Sequence, residues 1–418
     1  MYSQPSDVYR NIISSNGNDA VRLFNSDNQI IANNYLGTDI SGTLARGNTN
    51  FGIQLQGSSS DNILGTDADG NGDVLERNII SANGTGIRLQ VGGTGSNNVI
   101  AGNYIGTDLS GNSALENNTN GVDISGFSNT IIGTNADNVN DDSEANVISG
   151  NGTDGIRLFN TNNNIVAGNY IGLGQDGSSN IGNGGRGIFV TGTSSSNVIG
   201  YSPVSANNDE LIVGNFIKNN GDTGIGVTAL AIQNRISRNQ TANNGVLGID
   251  LDFDSVTSND NGDTDSGAND LLNFPVFTTV SLIDDQLTII GFAPADANIE
   301  IFIADAGPNP SPLPGGFSTS FGEGAVYLFD VVEGSAPDQS SSVGIYNNDG
   351  TGNIINRTQS QIHFEVDVTG LGLSEGMLIT ATSTDLDNNT SEFSGVFEIT
   401  VSCGTAIMNP HVMFVRPR

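Results

Sequence analysis

A four-residue unit, glycine and then an apolar, variable, apolar triplet, recurs as Gly86-Ile87-Arg88-Leu89, Gly121-Val122-Asp123-Ile124, Gly155-Ile156-Arg157-Leu158 and Gly187-Ile188-Phe189-Val190. The interval is about 34 residues, a period that marks a solenoid. In a strand successive side chains point to opposite faces, so Ile87 and Leu89 are expected in a core and Arg88 in solvent. The same outward slot returns on every rung, so the repeat that dictates a fold also nominates a surface.

Weaker copies lie at Ala20 to Leu23, Gly52 to Leu55, Gly224 to Val227 and Gly248 to Leu251, making eight rungs. Between them runs a second apolar beat, Asn97-Asn98-Val99-Ile100-Ala101-Gly102-Asn103-Tyr104-Ile105-Gly106, repeated at Asn163 to Gly172 and Asn28 to Gly37. Each rung therefore holds about three short strands parted by Asn and Gly, the pattern of a parallel β-helix coil. Rungs of two kinds alternate, giving a longer period of about 67 residues with excursions such as 106–111 and 133–146. Insertions on a solenoid project from one side and wall a groove. Asn83, Asn103, Asn151 and Asn169 are expected to take left-handed turn positions and to hydrogen-bond along the stack.

On these beats, residues 8 to 255 resemble the right-handed parallel β-helix repeat proteins, the superfamily of pectate lyases, polygalacturonases and many bacterial surface proteins. The resemblance implies the handedness and a pectate-lyase-like superfold, and leaves activity open because one superfold hosts many activities. After Pro275 the beat gives way to longer alternating strands, Gln286 to Phe292, Asn298 to Ala304, Gln361 to Val368 and Met377 to Thr384, the signature of a β-sandwich. The run from Leu378 to Ser394 resembles the last hairpin of immunoglobulin-like modules in secreted bacterial proteins. The expected organisation is all-β: a right-handed parallel β-helix of about eight coils at 1–274, an immunoglobulin-like β-sandwich at 275–402 and a tail at 403–418.

The net charge is -32, from 45 acidic against 13 basic residues, and Lys218 is the single lysine. Nucleic acid is therefore not an expected partner, since phosphate binding needs a basic face. A polyuronate would be repelled without a bridging cation, so a neutral or weakly charged glycan suits the surface better. A lone cysteine, Cys403, rules out an internal disulfide framework and a Cys-based zinc site. No apolar run has the length of a membrane span, and the polar start Met1 to Arg10 is no signal peptide. The expectation is a segment of an exported precursor, secreted or held at a bacterial cell surface.

Stacked in register, the first outward column reads Arg22, Gln54, Arg88, Asp123, Arg157, Phe189, Gly226, Asp250, and the next Phe24, Gln56, Gln90, Ser125, Phe159, Thr191, Thr228, Asp252. Guanidinium and amide groups beside aromatic faces suit sugar hydroxyls and rings, so Arg88, Arg157, Gln54, Gln90, Phe159 and Phe189 are the expected substrate-binding residues. The same pattern serves as a charge ladder stabilising adjacent strands. Glycoside hydrolysis needs two carboxylates roughly 5 to 9.5 Å apart. Asp123, flanked by arginines, is the central candidate for base or nucleophile, and Asp154 in the turn before the next rung is the candidate partner, ahead of Asp108 and Asp176. Polygalacturonase motifs are absent, with no histidine before His363. Lyase chemistry would need calcium and an arginine base, for which Arg88 or Arg157 would serve without a supporting motif.

Two acidic loops suit a structural calcium ion. Asp67, Asp69, Asn71 and Asp73 resemble the first half of an EF-hand loop, although Asn78 stands where a bidentate Glu belongs. Asp260, Asp263 and Asp265 form a second set after the alternating Asp250, Asp252 and Asp254; Asp385, Asp387 and Asn389 form a third. The sequence thus points to a secreted protein that binds an extended polysaccharide, with cleavage in the manner of a glycoside hydrolase as the further expectation. The alternative is a non-catalytic adhesin or structural spacer.

Overall fold

The computed structural model describes residues 10–90, 92–137, 139–201, 214–305, 321–340, 342–351 and 356–401. The start Met1 to Tyr9 and the tail from Cys403 to Arg418 lie outside the described residues. Each coil but the last contributes one short strand to each of three parallel sheets, which hold eight, eight and seven strands among the described residues. Sheet 1 runs from Asn11–Ile13 to Gln240–Ala242, sheet 2 from Val21–Phe24 to Ile249–Leu251, and sheet 3 from Ile30–Ile31 to Arg235–Ser237. The chain is therefore a parallel β-helix, and the Gly-Ile-x-Leu units are the strands of sheet 2.

The glycine of the unit is required by close approach. A Cβ on Gly121 would lie 2.6 Å from Ile148 Cγ2 and 2.7 Å from the Gly155 carbonyl oxygen, and one on Gly187 would lie 2.4 Å from Ile217 Cγ2. The apolar positions that follow, Ile87, Leu89, Val122, Ile124, Ile156, Leu158, Ile188 and Val190, have no exposed surface. They form one continuous column with Ile100, Ile132 and Val166 of sheet 3 and Ile105, Ile148 and Ile171 of sheet 1. Each such burial stabilises by about 1.5–3 kcal/mol.

Buried asparagines close the turns as ladders. One runs through Asn48, Asn83, Asn117, Asn151, Asn183, Asn220 and Asn244 between sheets 1 and 2, each side chain bonding to the next. Asn117 Nδ2 donates to Asn151 Oδ1 at 2.9 Å and to the Ile80 carbonyl at 2.9 Å, while its Oδ1 accepts from the Asn83 amide at 2.9 Å. A second ladder precedes sheet 1 through Asn34, Asn78, Asn103, Asn146, Asn169, Asn215 and Asn239. The bonding along the stack is as expected, but the left-handed backbone is not at Asn83, Asn103, Asn151 or Asn169. It sits on the residue just before, as at Ala82, Gly102, Gly150 and Gly168, where φ is 63°, 69°, 71° and 70°. That residue makes the corner, which frees the asparagine to turn inward and satisfy buried carbonyls.

The excursions border sheet 1. Those following its strands carry matching antiparallel bridges, Thr38 to Ala45, Thr107 to Ala114 and Leu173 to Asn180. They stack through Leu109 N–H to Gly42 O and Gln175 N–H to Gly111 O. Those preceding its strands carry the short helices Asp73–Glu76 and Asp141–Glu144. The insertions thus wall sheet 1, whereas the Arg/Asp column lies on sheet 2.

From Val276 the chain forms two four-stranded antiparallel sheets packed as a sandwich. One orders Val276–Ile283, Gln286–Ala293, Arg357–Asp367 and Val343–Tyr346; the other orders Glu323–Val332, Asn298–Asp305, Leu378–Thr384 and Phe397–Glu398. This sandwich covers the last coil, whose open edge would otherwise invite pairing with another chain. Phe302 and Phe393 enter the solenoid core. Glu323 ends the first asparagine ladder, accepting from Asn244 N and Nδ2 at 3.0 and 2.6 Å. Glu300 accepts from Ser237 Oγ and from the Arg238 amide, and Glu392 from the amides of Leu251 and Thr257.

Candidate functional site

The register of sheet 2 aligns Arg22, Gln54, Arg88, Asp123, Arg157, Phe189, Gly226 and Asp250 in one row. At its centre Asp123 is nearly buried, its side chain 5% exposed, with Arg88 Nη1 bonded to its Oδ2 and Arg157 Nη1 at 3.3 Å. Ser125 Oγ donates to its Oδ1 at 3.3 Å and Asn120 Nδ2 to its Oδ2 at 3.4 Å. Two guanidiniums and two neutral donors converge on one carboxylate, and such charge-assisted contacts are stronger than neutral ones.

Asp154 lines the same depression, an open hollow of about 650 Å³ bordered by Arg88, Asn120, Asp123, Asp154, Arg157 and Arg186. It lies one coil on from Asp123 and at the row of Asn120, which joins the two: Asn120 Oδ1 accepts from the Asp154 amide at 3.2 Å. Burial pushes the Asp154 carboxyl above the usual aspartate range, against the pull of the Arg186 backbone amide, 3.0 Å from Oδ1, and the Arg186 guanidinium at 3.6 Å. The hollow therefore holds one carboxylate clamped by cations and another whose acid form burial favours.

Aromatic faces stand beside both. Arg157 lies over the Phe159 ring at 4.7 Å, and Arg186 over Phe189 at 4.3 Å and Phe253 at 4.4 Å. Phe253 folds back across Gly226, where a Cβ would come within 2.6 Å of its ring. At the other end Gln54 is buried, its Nε2 bonded to Gln90 Oε1 at 2.5 Å, and Gln56 bonds to the same oxygen. Gln90 is thus held by two neighbours, and Gln54 lies beneath the surface.

No family model matches this sequence. Two solved structures align with most of it. One is full-length tailspike protein 2 of Escherichia coli O157:H7 bacteriophage CAB120, at 11% identity and a TM-score of 0.28, covering 92% of this chain and 64% of that chain. The other is the enzymatically active domain of bacteriophage CBA120 tailspike protein 2, at 11% identity and a TM-score of 0.23, covering 91% and 72%. The chain spans under two thirds of the full-length tailspike, and likeness at this level carries nothing about chemistry. Among the described residues no helix is long and apolar enough to cross a membrane.

Arg186, Asn120 and Phe253 belong to this face and were not evident from the repeat. The first two occupy the position before the glycine of the unit, a row reading Thr85, Asn120, Asp154, Arg186, Thr223. That row recurs as regularly as the outward slot and was a signal available in the sequence. Phe253 arrives from beyond the last strand, and nothing periodic announces it.

Among the described residues the acidic loops form two clusters. In the first, Asp67 and Asp73 meet Glu76, with carboxylate oxygens within 4.8 Å of one another. Asp69 Oδ1 instead accepts from the Asn71 amide at 2.7 Å. Asn78, at the twelfth loop position, is pinned in the second ladder, and Glu76 accepts from Thr66 Oγ1 and the Asp67 amide at 2.9 and 3.1 Å. In the second, Asp260, Asp263 and Asp265 converge within the same limit. Burial first, then neighbouring carboxylates, pushes Asp263 and Asp265 up to about 6. A divalent cation there would offset the repulsion, and its oxygen donors are of the kind calcium takes.

Proposed function

We propose that the protein binds an extended, neutral or weakly charged polysaccharide along sheet 2 and hydrolyses it at the Asp154/Asp123 hollow. What supports this reading is the pair of carboxyls in contrasting surroundings, with Asn120 bonded to the Asp123 carboxylate and to the Asp154 backbone amide, in an open hollow whose Arg157 and Arg186 lie over the Phe159 and Phe189 rings. Asp154, whose carboxyl burial raises above the usual aspartate range, is the proton donor to the leaving-group oxygen. Asp123 stabilises positive charge developing at the sugar, with Arg88 and Arg157 releasing it to substrate and bonding hydroxyls in turn. Calcium at Asp260, Asp263 and Asp265, and at Asp67, Asp73 and Glu76, has a structural role. The protein acts outside a bacterial cell, where its acidity keeps it soluble.

The test is release of reducing ends from a polysaccharide panel. Wild type is expected to cleave at least one polysaccharide, and Asp154→Asn to lose at least about 100-fold in rate with binding retained. An unchanged rate in Asp154→Asn would refute the assignment. A second reading has its own support: Asp123 is occupied on both oxygens by protein donors, as a purely structural charge ladder would have it. Under that reading the solenoid is a non-catalytic spacer or adhesin, and wild type cleaves nothing in the panel.

A further inference from the structure

The outward row of sheet 1 reads Ile12, Tyr35, Ile79, Tyr104, Val147, Tyr170, Phe216, Gln240, so a tyrosine returns at every second coil until Phe216 and Gln240 close the row. In the first two repeats an arginine two residues ahead of the preceding aliphatic covers the tyrosine ring. Arg10 lies over Tyr35 at 4.4 Å, and Arg77 over Tyr104 at 4.1 Å. Each is anchored on the residue two before its tyrosine, Arg10 Nε donating to the Asn33 side-chain Oδ1 at 2.9 Å and Arg77 Nε to the Gly102 backbone carbonyl at 3.0 Å, and Arg10 Nη1 also donates to the Tyr35 hydroxyl at 2.7 Å.

The third repeat breaks the pattern in two places. Ala145 stands where Arg10 and Arg77 stood, and Asp142 stands where Val74 stood in the matching short helix. The slot thus loses a cation and gains an anion. A cavity of about 490 Å³ opens there, lined by Asp141, Asp142, Ala145, Gly168 and Tyr170 and also by Arg77 of the preceding repeat, whose guanidinium is already laid on Tyr104. Gly168 holds the place of the anchoring Gly102. Phe216, from the following coil, stacks on Tyr170 with ring centroids 5.2 Å apart and planes within 8°, while Ala145 belongs to the preceding one. Among the described residues the ring is therefore backed on one side and left open on the side an arginine covers in the earlier repeats.

We propose that this slot takes an arginine side chain presented by a partner chain. The internal copies show what the geometry accepts, a guanidinium laid on a tyrosine with its Nε directed at the residue two before that tyrosine. The charge change favours a cation supplied from outside, and a planar guanidinium stacks on a ring better than a compact ammonium does. The occupant is distinct from the polysaccharide proposed for sheet 2.

The experiment follows the aromatic NMR signals of Tyr170 in the full chain during titration with a blocked Gly-Arg-Gly peptide, its Gly-Lys-Gly counterpart and a neutral hexasaccharide. The arginine peptide is expected to bind at millimolar concentration, at least threefold more tightly than the lysine one. Ala145→Arg, which restores the covering residue, should abolish the response, and Asp142→Asn on the exposed helix should weaken it several-fold. No response to the arginine peptide, an undiminished response in Ala145→Arg, or a response to the hexasaccharide alone would each overturn the proposal.

Discussion

Asn117 shows how much one side chain holds in this fold. It is fully buried and joins three coils, from the Asn83 amide to the Ile80 carbonyl and Asn151. Replacing it by alanine strands buried donors and acceptors, each costing about 1–3 kcal/mol. Asn117→Ala is therefore expected to lose about 3 kcal/mol in denaturant unfolding, and a loss under about 1 kcal/mol would show that the ladder is not a principal support. The converse test lies in the third ladder, which runs Asn62, Asn98, then Thr130, then Asn164, Asn197 and Asn234. Thr130 Oγ1 is buried without a partner. Thr130→Asn completes the ladder and should raise stability by about 1 kcal/mol, whereas a destabilised variant would mean the site has no room for the amide.

At the scale of the element, the solenoid strands were legible because each is fixed locally. Glycine is forced by the next coil, and Ile, Val or Leu by the interior, so both leave a periodic trace. The row Arg88, Asp123, Arg157 followed from that period, since register alone sets it. Asp154 and Arg186 were less legible as a pair because their contact depends on side chains leaning across coils. The walled sheet was illegible for another reason: the excursions leave the period, and which face they border depends on the path of the chain. Loop 260–265 belongs here as well. If calcium is held there, saturating calcium should raise the thermal midpoint and chelator lower it, by the mass action of a ligand that binds only the folded form. An identical midpoint in both would remove calcium from the account.

For the whole molecule, the junction of solenoid and sandwich rests on carboxyls taken out of water. Burial pushes Glu323, which faces Asn243, Asn244 and Asp305, up to about 7, and it pushes Glu300 and Glu392 upward too. Asp250, at the end of sheet 2, rises to about 6 for the same reason, with Asp254 and Asp222 adding repulsion. Groups raised in the folded state keep protons that the unfolded chain has already released. Their contribution is full below the ordinary carboxylate range and is lost as pH climbs through about 6 to 7, on the order of 3 kcal/mol for Glu323 alone. Thermal stability should accordingly be higher near pH 5 than near pH 8, and Glu323→Gln should flatten that dependence; a midpoint that falls on acidification would contradict it. These contacts were beyond sequence reading because Glu323 lies 79 residues from the asparagine it caps.

The central claim is that sheet 2 is a polysaccharide-binding face, and affinity electrophoresis across a polysaccharide panel tests it most directly. Wild type should be retarded by at least one neutral or weakly charged polysaccharide. The Arg157→Ala/Phe159→Ala double variant should bind at least tenfold more weakly, with a thermal midpoint within about 5 °C of wild type, since both side chains are only half-buried. Retardation by none of the panel, or an affinity unchanged in the double variant, would contradict it.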